Sequence, residues 1–205
     1  IYIIDVTNRD GVQTSRLGLA KLEKTMINLY LNEMGIYQSE FGFPFTNHEK
    51  NYLEANLDLA RIGVLRPIIL EGWCRPVRGD IEKALAIGVE HVNMSISTSR
   101  QMVEGKFSGK IVRSPHDDAS CPSIVGMVVD SIKQAKDGGV KTIGVNAEDA
   151  SRTDDDFLLE FSLAAKDAGA DRIRYCDTLG YDDPFTIYER VFKLASEVQL
   201  PIEMH

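Results

Sequence analysis

Short aliphatic runs recur at intervals of roughly 30 residues along this chain, and a segment with helical spacing follows almost every one of them. Each run is continuously apolar and rich in β-branched residues, which is typical of parallel strands buried on both faces. The alternation therefore predicts an α/β fold with a parallel sheet. The seven strands are predicted at residues 1–6, 36–41, 64–70, 91–96, 140–146, 171–177 and 200–205.

Between these strands, apolar residues fall three and four positions apart, which indicates amphipathic helices. In the first helix the repeating positions include Leu22, Met26 and Tyr30, and Gly35 follows as a stop signal. The Met and aromatic positions at this spacing are predicted to pack in the core. Thr153 with Asp156 is predicted to form a capping box. The helices are predicted over residues 16–34, 47–62, 79–87, 122–137, 153–168 and 183–198.

Polar residues collect after nearly every predicted strand, and this distribution separates two architectures. A (β/α)8 barrel gathers all of its βα loops around one mouth, whereas an open doubly wound sheet concentrates its site at one switch point. The pattern favours the TIM barrel over the open sheet. The residues concerned are Arg9, Asp10, Glu40, Glu71, Ser97, Ser99, Glu148, Asp149, Asp177, Thr178 and His205.

The length of 205 residues is short for a complete barrel, which needs roughly 250. We therefore expect residues 1–205 to form one catalytic barrel domain with strands one to seven, truncated before strand eight and before any C-terminal domain. The chain also begins without Met, so we expect that part of the N-terminus precedes Ile1.

Charge and cysteine content exclude several classes of protein. The formal net charge of −8 argues against a general nucleic-acid or anionic-membrane surface, although a local basic pocket for a phosphorylated ligand stays open. Cys74, Cys121 and Cys176 have no CxxC or CxxH spacing, which predicts a reduced, cytoplasmic chain. No apolar run reaches about 18 residues, so no membrane span is predicted.

Several motifs together carry a family resemblance. They are D5-V-T-N-R-D-G-V-Q13, S39-E-F-G-F-P44, E148-D-A-S-R152, D177-T-L-G180 and the strand that ends in His205. The chain resembles the DRE-TIM metallolyase superfamily, and within it the acyl-CoA-condensing branch: homocitrate, isopropylmalate, citramalate and Re-type citrate synthases. The opening motif and E148-D-A-S-R152 are specific, whereas G-F-P and D-T-L-G alone would be weak.

The resemblance implies that acetyl-CoA condenses with a 2-oxo acid on a divalent metal, Mg²⁺, Mn²⁺ or Zn²⁺. By this resemblance Asp10 is the carboxylate ligand, and His205 is the first of a His-x-His pair whose second member lies beyond the chain. Arg9 is expected to face the developing alkoxide. Glu40 is expected to lie near the metal as a catalytic residue that orients a ligand or a metal-bound water.

The same resemblance assigns the acid substrate to four further residues. Gln13 is expected to hydrogen-bond the bound acid, and Thr178 to contact its carboxylate. Arg75 matches a family arginine after strand three, and Asn146 stands where a serine is common. The partners implied are small molecules only, in a homodimer.

Each assignment has a competing structural interpretation. Asp10 before Gly11 also suits a turn, and Arg75 is equally compatible with a solvated charge. Asp149 and Arg152 are better explained as a salt bridge that braces the barrel mouth, while Glu148 remains open between the two interpretations. The run of carboxylates from Asp154 to Asp156 suits a helix N-terminus and not a metal cluster.

The acid substrate is the least determined part of the prediction. The first expectation is 2-oxoglutarate, which gives homocitrate, although Gly144 stands where lysine-pathway homocitrate synthases carry an arginine. Asn8 also replaces a residue that is hydrophobic in many of these enzymes. Oxaloacetate (a Re-citrate synthase), a branched 2-oxo acid or the citramalate reaction are the alternatives. A retro-aldol or hydroxymethylglutaryl-CoA lyase and a partner-dependent fragment are the other classes.

Overall fold

The computed structural model describes residues 1–205. The strands are β1 (Ile4–Asp5), β2 (Gln38–Gly42), β3 (Ile69–Cys74), β4 (His91–Ser97), β5 (Thr142–Glu148), β6 (Arg172–Tyr175) and β7 (Ile202–Met204). The helices are α1 (Lys21–Glu33), α2 (Lys50–Arg61), α3 (Arg78–Ile87), α4 (Arg100–Phe107), α5 (Ile124–Asp137), α6 (Asp155–Ala168) and α7 (Pro184–Val198). Short 3₁₀ turns cover Gly11–Gln13 and Ala150–Arg152.

The strands occupy the sheet in chain order, β1-β2-β3-β4-β5-β6-β7. The pairs β1–β2, β2–β3, β5–β6 and β6–β7 are all parallel. A doubly wound sheet reverses its strand order at a switch point, so the uninterrupted order excludes that architecture. The predicted fold class, a (β/α)8 barrel with strands one to seven, is confirmed.

The chain divides into two compact units. Unit 1 contains Ile1–Cys74, Gly79–Asn93 and Gly139–Lys141. Its core includes Phe41, Leu53, Leu65 and Ile81, all with no exposed surface. In this unit β2 pairs with β1 and β3, and α1 packs against both α2 and β2.

Helix α1 buries a polar face, which contradicts the predicted core positions. Leu22, Met26 and Tyr30 are exposed, whereas Lys24 and Asn28 are buried. Lys24 forms a salt bridge with Glu49 and lies 4.6 Å from the Tyr52 ring centroid. The buried face of α1 is determined by polar partners on neighbouring elements and not by the apolar spacing within the helix. The predicted core positions of α1 were therefore wrong.

Asn28 is the centre of this buried polar network. Its Oδ1 accepts hydrogen bonds from Asn8 Nδ2 and Ser39 Oγ, both at 2.9 Å. Its Nδ2 donates to Tyr52 Oη and Asn56 Oδ1, both at 3.0 Å. Asn8 is fully buried and also bonds the Lys24 carbonyl oxygen. Asn8 therefore fastens the first loop to α1.

Unit 2 contains Arg75–Arg78, Met94–Gly138 and Thr142–His205. Helices α5 and α6 pack against each other, and the buried core of this unit includes Ile132 of α5, Ile143 of β5 and Phe161 of α6. On α7, in contrast, Phe185, Tyr188 and Phe192 are exposed on one side, which again departs from the predicted core packing of aromatic positions.

Several elements differ from the sequence prediction. Strand β1 is limited to two residues because the chain turns at Val6. Strand β3 begins at Ile69 and not at residue 64, because Pro67 has no N–H to donate to the ladder. Helix α4 was missed. Helix α6 is capped by Asp154, which accepts the Phe157 N–H, while the Thr153 hydroxyl bonds the Asp149 carbonyl oxygen instead.

Candidate active site

The loop after β1 is a compact turn and not an open surface loop. The backbone N–H groups of Arg9, Asp10 and Gly11 all converge on the Val6 carbonyl oxygen, at 3.2, 2.8 and 3.1 Å. Asp5 accepts hydrogen bonds from the Thr7 backbone N–H and hydroxyl, both at 2.9 Å. This turn fixes the direction in which the Arg9 and Asp10 side chains leave the backbone.

Arg9 is held by contacts on three sides. Its Nε donates to Glu40 Oε2 at 2.8 Å, and its Nη1 donates to Asp10 Oδ1 at 3.2 Å. The guanidinium carbon lies 4.7 Å from the Trp73 ring centroid, a cation–π distance. The Arg9 side chain is 13% exposed. We call Arg9, Asp10, Glu40 and Trp73 the arginine cluster.

Glu40 supplies the buried charge of this cluster. Its side chain is fully buried in β2, and Asn93 Nδ2 donates to its second oxygen, Oε1, at 2.6 Å. Glu71, the residue in register with Glu40 on β3, accepts a hydrogen bond from Gln38 Nε2 at 2.6 Å. Because residues in register share a face of the sheet, this face of β2 and β3 is polar. Glu40, which lies on this face, holds Arg9 in place through its hydrogen bond.

A second polar group lies in unit 2, at the carboxyl ends of β4 and β5. Ser95 Oγ donates to Glu148 Oε1 at 2.6 Å, and Ser97 Oγ donates to Glu148 Oε2 at 2.9 Å. Lys106 Nζ, from α4, donates to Ser97 Oγ at 2.6 Å and to Glu148 Oε2 at 3.3 Å. We call Ser95, Ser97, Lys106 and Glu148 the lysine cluster.

Glu148 is held as a carboxylate by this cluster. Burial alone would raise the pKa of Glu148, but the hydrogen bond from Ser95 and the charge of Lys106 outweigh it, so the pKa falls below the ordinary value of 4.5. Glu148 is therefore ionised at neutral pH. A carboxylate stabilised in this way is a weak proton acceptor.

Asp149 and Arg152 form the predicted salt bridge. Arg152 Nη2 lies 2.5 Å from Asp149 Oδ2, and Arg152 Nε donates to Asp149 Oδ1 at 2.8 Å. Ser99 also bonds the Asp149 carboxylate. The Asp149 backbone N–H donates to Thr178 Oγ1 at 3.0 Å. This network ties the β5 loop to the β6 loop.

The predicted site residues separate into two groups. Arg9, Asp10 and Glu40 are brought together in unit 1. The others occupy individual positions. Gln13 is exposed in the first 3₁₀ turn, Arg75 is exposed directly after β3, Asn146 is buried in β5, Thr178 is exposed after β6 and His205 is exposed after β7.

Asp10 and His205 are the predicted metal ligands. A carboxylate oxygen from Asp10 and an imidazole nitrogen from His205 are donors that Mg²⁺, Mn²⁺ or Zn²⁺ accepts. No group of three or more His, Cys, Asp and Glu side chains is arranged to hold a metal ion. Two donors do not complete a coordination shell, so the chain by itself fits only part of a metal site.

Sequence reasoning did not find Ser95, Asn93 or Lys106. Ser95 and Ser97 alternate on β4 and so share one face, a signal that could have been used. Lys106 could not be found, because it lies on the missed helix α4. Asn93 was identified only from its hydrogen bond to Glu40 in the structure.

The HMGL-like family model matches residues 1–205. The chain belongs to the HMGL-like family. This assignment confirms the resemblance to the DRE-TIM superfamily, because the match includes every motif on which that resemblance was based. The arginine cluster and the lysine cluster are therefore polar sites at strand ends of an HMGL-like domain.

Three curated proteins that the chain resembles are synthases. The chain is 56% identical to a citrate (Re)-synthase of Dehalococcoides mccartyi, over all of this chain and 48% of that protein. It is 40% identical to 2-isopropylmalate synthase 2 of Caldanaerobacter subterraneus, over all of this chain and 50% of that protein. It is 33% identical to homocitrate synthase 1 of a Nostoc strain, with the same two coverages. The chain spans about half the length of these curated relatives.

Solved structures support the fold of the HMGL-like domain. A hydroxymethylglutaryl-CoA lyase from Pseudomonas aeruginosa matches with a TM-score of 0.77 at 16% identity, over 100% of this chain and 67% of that one. An HMG-CoA lyase from Brucella melitensis gives 0.74 at 14% identity, over 100% and 71%. At these identities the likeness concerns the fold alone. None of the seven helices has the length and apolar character that crossing a membrane requires.

Proposed function

We propose that the full-length protein condenses acetyl-CoA with oxaloacetate and water to give citrate and free CoA. The observation that carries the proposal is the fixed Arg9 guanidinium, held by Glu40 and Asp10 at the end of β1. The 56% identity to a citrate (Re)-synthase supports oxaloacetate over the 2-oxoglutarate expected first from the sequence.

Arg9 is proposed as the catalytic residue that stabilises the alkoxide. When the acetyl methyl carbon attacks the keto carbon of the 2-oxo acid, negative charge develops on the former keto oxygen. Two of the five guanidinium N–H groups are used by Glu40 and Asp10. The others remain for this oxygen, and their fixed direction means that little reorganisation is needed as the charge develops.

Glu40 is proposed to act through Arg9 and not on the substrate. Its carboxylate is fully buried and already bonded to Arg9 and Asn93. It holds the guanidinium in position and compensates its charge. The contacts around Glu40 thus support a positioning role beside Arg9 within the predicted catalytic pair.

Asp10 and His205 are the residues that would hold a divalent metal, together with ligands from outside this set. Such an ion, when bound, would supply Lewis-acid polarisation of the keto group. Gln13, Asn146, Thr178 and Arg75 are proposed to bind the acid substrate. The homodimer and the cytoplasmic location remain predictions.

The proposal is tested by incubating the full-length protein with acetyl-CoA, Mn²⁺ or Mg²⁺ and one 2-oxo acid at a time. The panel contains oxaloacetate, 2-oxoglutarate, 2-oxoisovalerate and pyruvate, and thiol release is followed with a chromogenic reagent. We expect the highest kcat/KM with oxaloacetate, and citrate as the product by mass spectrometry.

Two controls separate condensation from other reactions. Acetyl-CoA without a 2-oxo acid measures thioester hydrolysis, and hydroxymethylglutaryl-CoA without acetyl-CoA measures lyase activity. If none of the four 2-oxo acids supported thiol release above the control without acid, the proposal of a synthase would be refuted. A preference for 2-oxoglutarate or 2-oxoisovalerate would keep the condensation and reject oxaloacetate.

A further inference from the structure

We propose that Asn28 is a positioning residue for the Arg9–Glu40 pair, because its side-chain amide joins the residue before Arg9 to the residue before Glu40. The inference rests on the proposed function, in which Arg9 stabilises the alkoxide. It is carried by hydrogen bonds among residues of unit 1 alone.

The Asn28 amide connects the first loop to β2. Asn8 Nδ2 and Ser39 Oγ both donate to Asn28 Oδ1, each at 2.9 Å. Asn8 directly precedes Arg9, and Ser39 directly precedes Glu40. We call these two hydrogen bonds the Asn28 bridge. Through one shared oxygen atom, the bridge relates the backbone that carries the guanidinium to the backbone that carries its carboxylate partner.

The strand ladder ends before it reaches the Arg9 loop. The register of β1 with β2 ends at the Asp5–Ser39 pair. The chain then turns, and the N–H groups of residues 9–11 bond the Val6 carbonyl oxygen. Arg9 lies four positions beyond Asp5. Hydrogen bonds of side chains therefore hold this loop against β2 beyond the ladder, and the Asn28 bridge supplies two of them.

The orientation of the Asn28 amide is fixed by its other side. Its Nδ2 donates to Tyr52 Oη and Asn56 Oδ1 of α2, both at 3.0 Å. An amide offers two donors and two acceptor sites, and Asn28 uses all four. A flipped amide would set Nδ2 against the Asn8 donor and Oδ1 against the Asn56 oxygen. The Asn28 side chain is also fully buried, so the bridge is a rigid connection.

The alternation of β2 transmits the position of the bridge to the site. Ser39 and Glu40 are successive strand residues, so their side chains point to opposite faces of the sheet. Both are fully buried. Because one planar peptide unit joins them, a displacement of Ser39 also moves Glu40, and with it the bonded Arg9 guanidinium. A small misplacement of a preorganised donor lowers the rate of the chemical step.

The test compares Ser39→Ala with Asn56→Ala in the full-length protein. Ser39→Ala opens the Asn28 bridge at β2 and avoids the larger stability loss expected for Asn28→Ala. We expect kcat with oxaloacetate to fall about tenfold in Ser39→Ala, with both KM values within about twofold, because Arg9 acts on charge that develops in the transition state.

Asn56→Ala is the matched control. Asn56 is fully buried in the same network and bonds Asn28 and Thr25, but its loss leaves both hydrogen bonds of the Asn28 bridge in place. Its kcat should stay within about twofold of wild type. An equal fall of kcat in both variants would indicate general loosening of unit 1. That result, or no fall in Ser39→Ala, would overturn the inference and leave the proposed condensation standing.

A double variant tests whether the bridge acts through Arg9. In the Arg9→Ala background, Ser39→Ala should lower kcat by less than about twofold, because the group that the bridge positions is already absent. If the two losses multiplied, Ser39 would support the reaction by another route. The inference would then be wrong.

A measurement on Arg9 itself makes the inference independent of activity. Exchange of the Arg9 Nε–H proton with water is followed by NMR in ¹⁵N-arginine-labelled full-length protein, with the resonance assigned by its loss in Arg9→Ala. We expect exchange to be at least about tenfold faster in Ser39→Ala and within about twofold of wild type in Asn56→Ala. Unchanged exchange in Ser39→Ala, or no protection in wild type, would overturn the inference. The expected exchange rates in a protein inactive on every 2-oxo acid would refute the proposed function alone.

Discussion

Arg9 Nε donates a hydrogen bond of 2.8 Å to Oε2 of Glu40, a carboxylate with no exposed surface. The two residues are 31 positions apart in sequence and come together because β1 and β2 are adjacent parallel strands. The pair fixes an arginine at the carboxyl end of the sheet, where barrel enzymes place their chemistry. The position of the Arg9 guanidinium therefore depends on the buried negative charge of Glu40.

Replacing Arg9 tests the proposed alkoxide stabilisation. Arg9→Ala should lower kcat by about 10²- to 10³-fold, because a preorganised donor to the developing charge is lost. Steady-state thiol release with saturating acetyl-CoA and oxaloacetate measures the change. Arg16→Ala is the control, since Arg16 is an exposed arginine in the same loop. Equal activity of the two variants would remove Arg9 from the site.

Replacing Glu40 tests the buried ion pair. Glu40→Gln removes the negative charge beside a largely buried guanidinium, and Asp10 then remains as the carboxylate hydrogen-bonded to Arg9. We expect the free energy of unfolding at pH 7 to fall by about 2–3 kcal/mol, measured by urea denaturation. Glu54→Gln, at an exposed Lys50–Glu54 pair of 3.7 Å, should cost under about 0.5 kcal/mol. Similar losses in both variants would contradict a stabilising pair.

The Asp149 network predicts a defined dependence of stability on pH. Burial alone would raise the pKa of Asp149, but hydrogen bonds from Arg152 and Ser99 outweigh it and hold the pKa below the ordinary value of 3.8. Since the folded-state pKa is the lower one, ionised Asp149 stabilises the fold fully above the unfolded-state pKa. This stabilisation is lost as the pH falls through the folded-state pKa.

Thermal unfolding of wild type and Asp149→Asn at several pH values measures this effect. The difference in Tm should be largest at neutral pH and shrink below about pH 4. Asp167→Asn serves as the control, because Asp167 is exposed near the end of α6. A Tm difference that stays constant down to pH 3 would show that the charge of Asp149 is not the stabilising feature.

The buried Asn28 network predicts an unusually costly polar substitution. Asn28→Ala leaves Ser39 Oγ and Asn56 Oδ1 without the partner seen in the structure. We expect the free energy of unfolding to fall by about 2–4 kcal/mol. Asn51→Ala, at an exposed position of α2, should change it by less than about 0.5 kcal/mol. A small effect at Asn28 would mean that water replaces its hydrogen bonds.

The helical spacing of α1 located the helix but assigned its buried face wrongly. Leu22, Met26 and Tyr30 repeat at the expected interval, yet Lys24 and Asn28 face the protein. The burial of Lys24 depends on Glu49, and that of Asn28 on Tyr52 and Asn56. These partners lie more than 20 residues away in sequence, so a local pattern contains no information about them.

The sequence by itself determined the strand order, the barrel class, the family and the pairing of Asp149 with Arg152, because these follow from local periodicity and from motifs of adjacent residues. Only the tertiary structure decided that Glu40 is fully buried and hydrogen-bonded to Arg9, and that Lys106 is hydrogen-bonded to Glu148. Both depend on side chains from separate strands or helices. Parallel strands bring such residues together through the sheet register, which the chain acquires only when it folds.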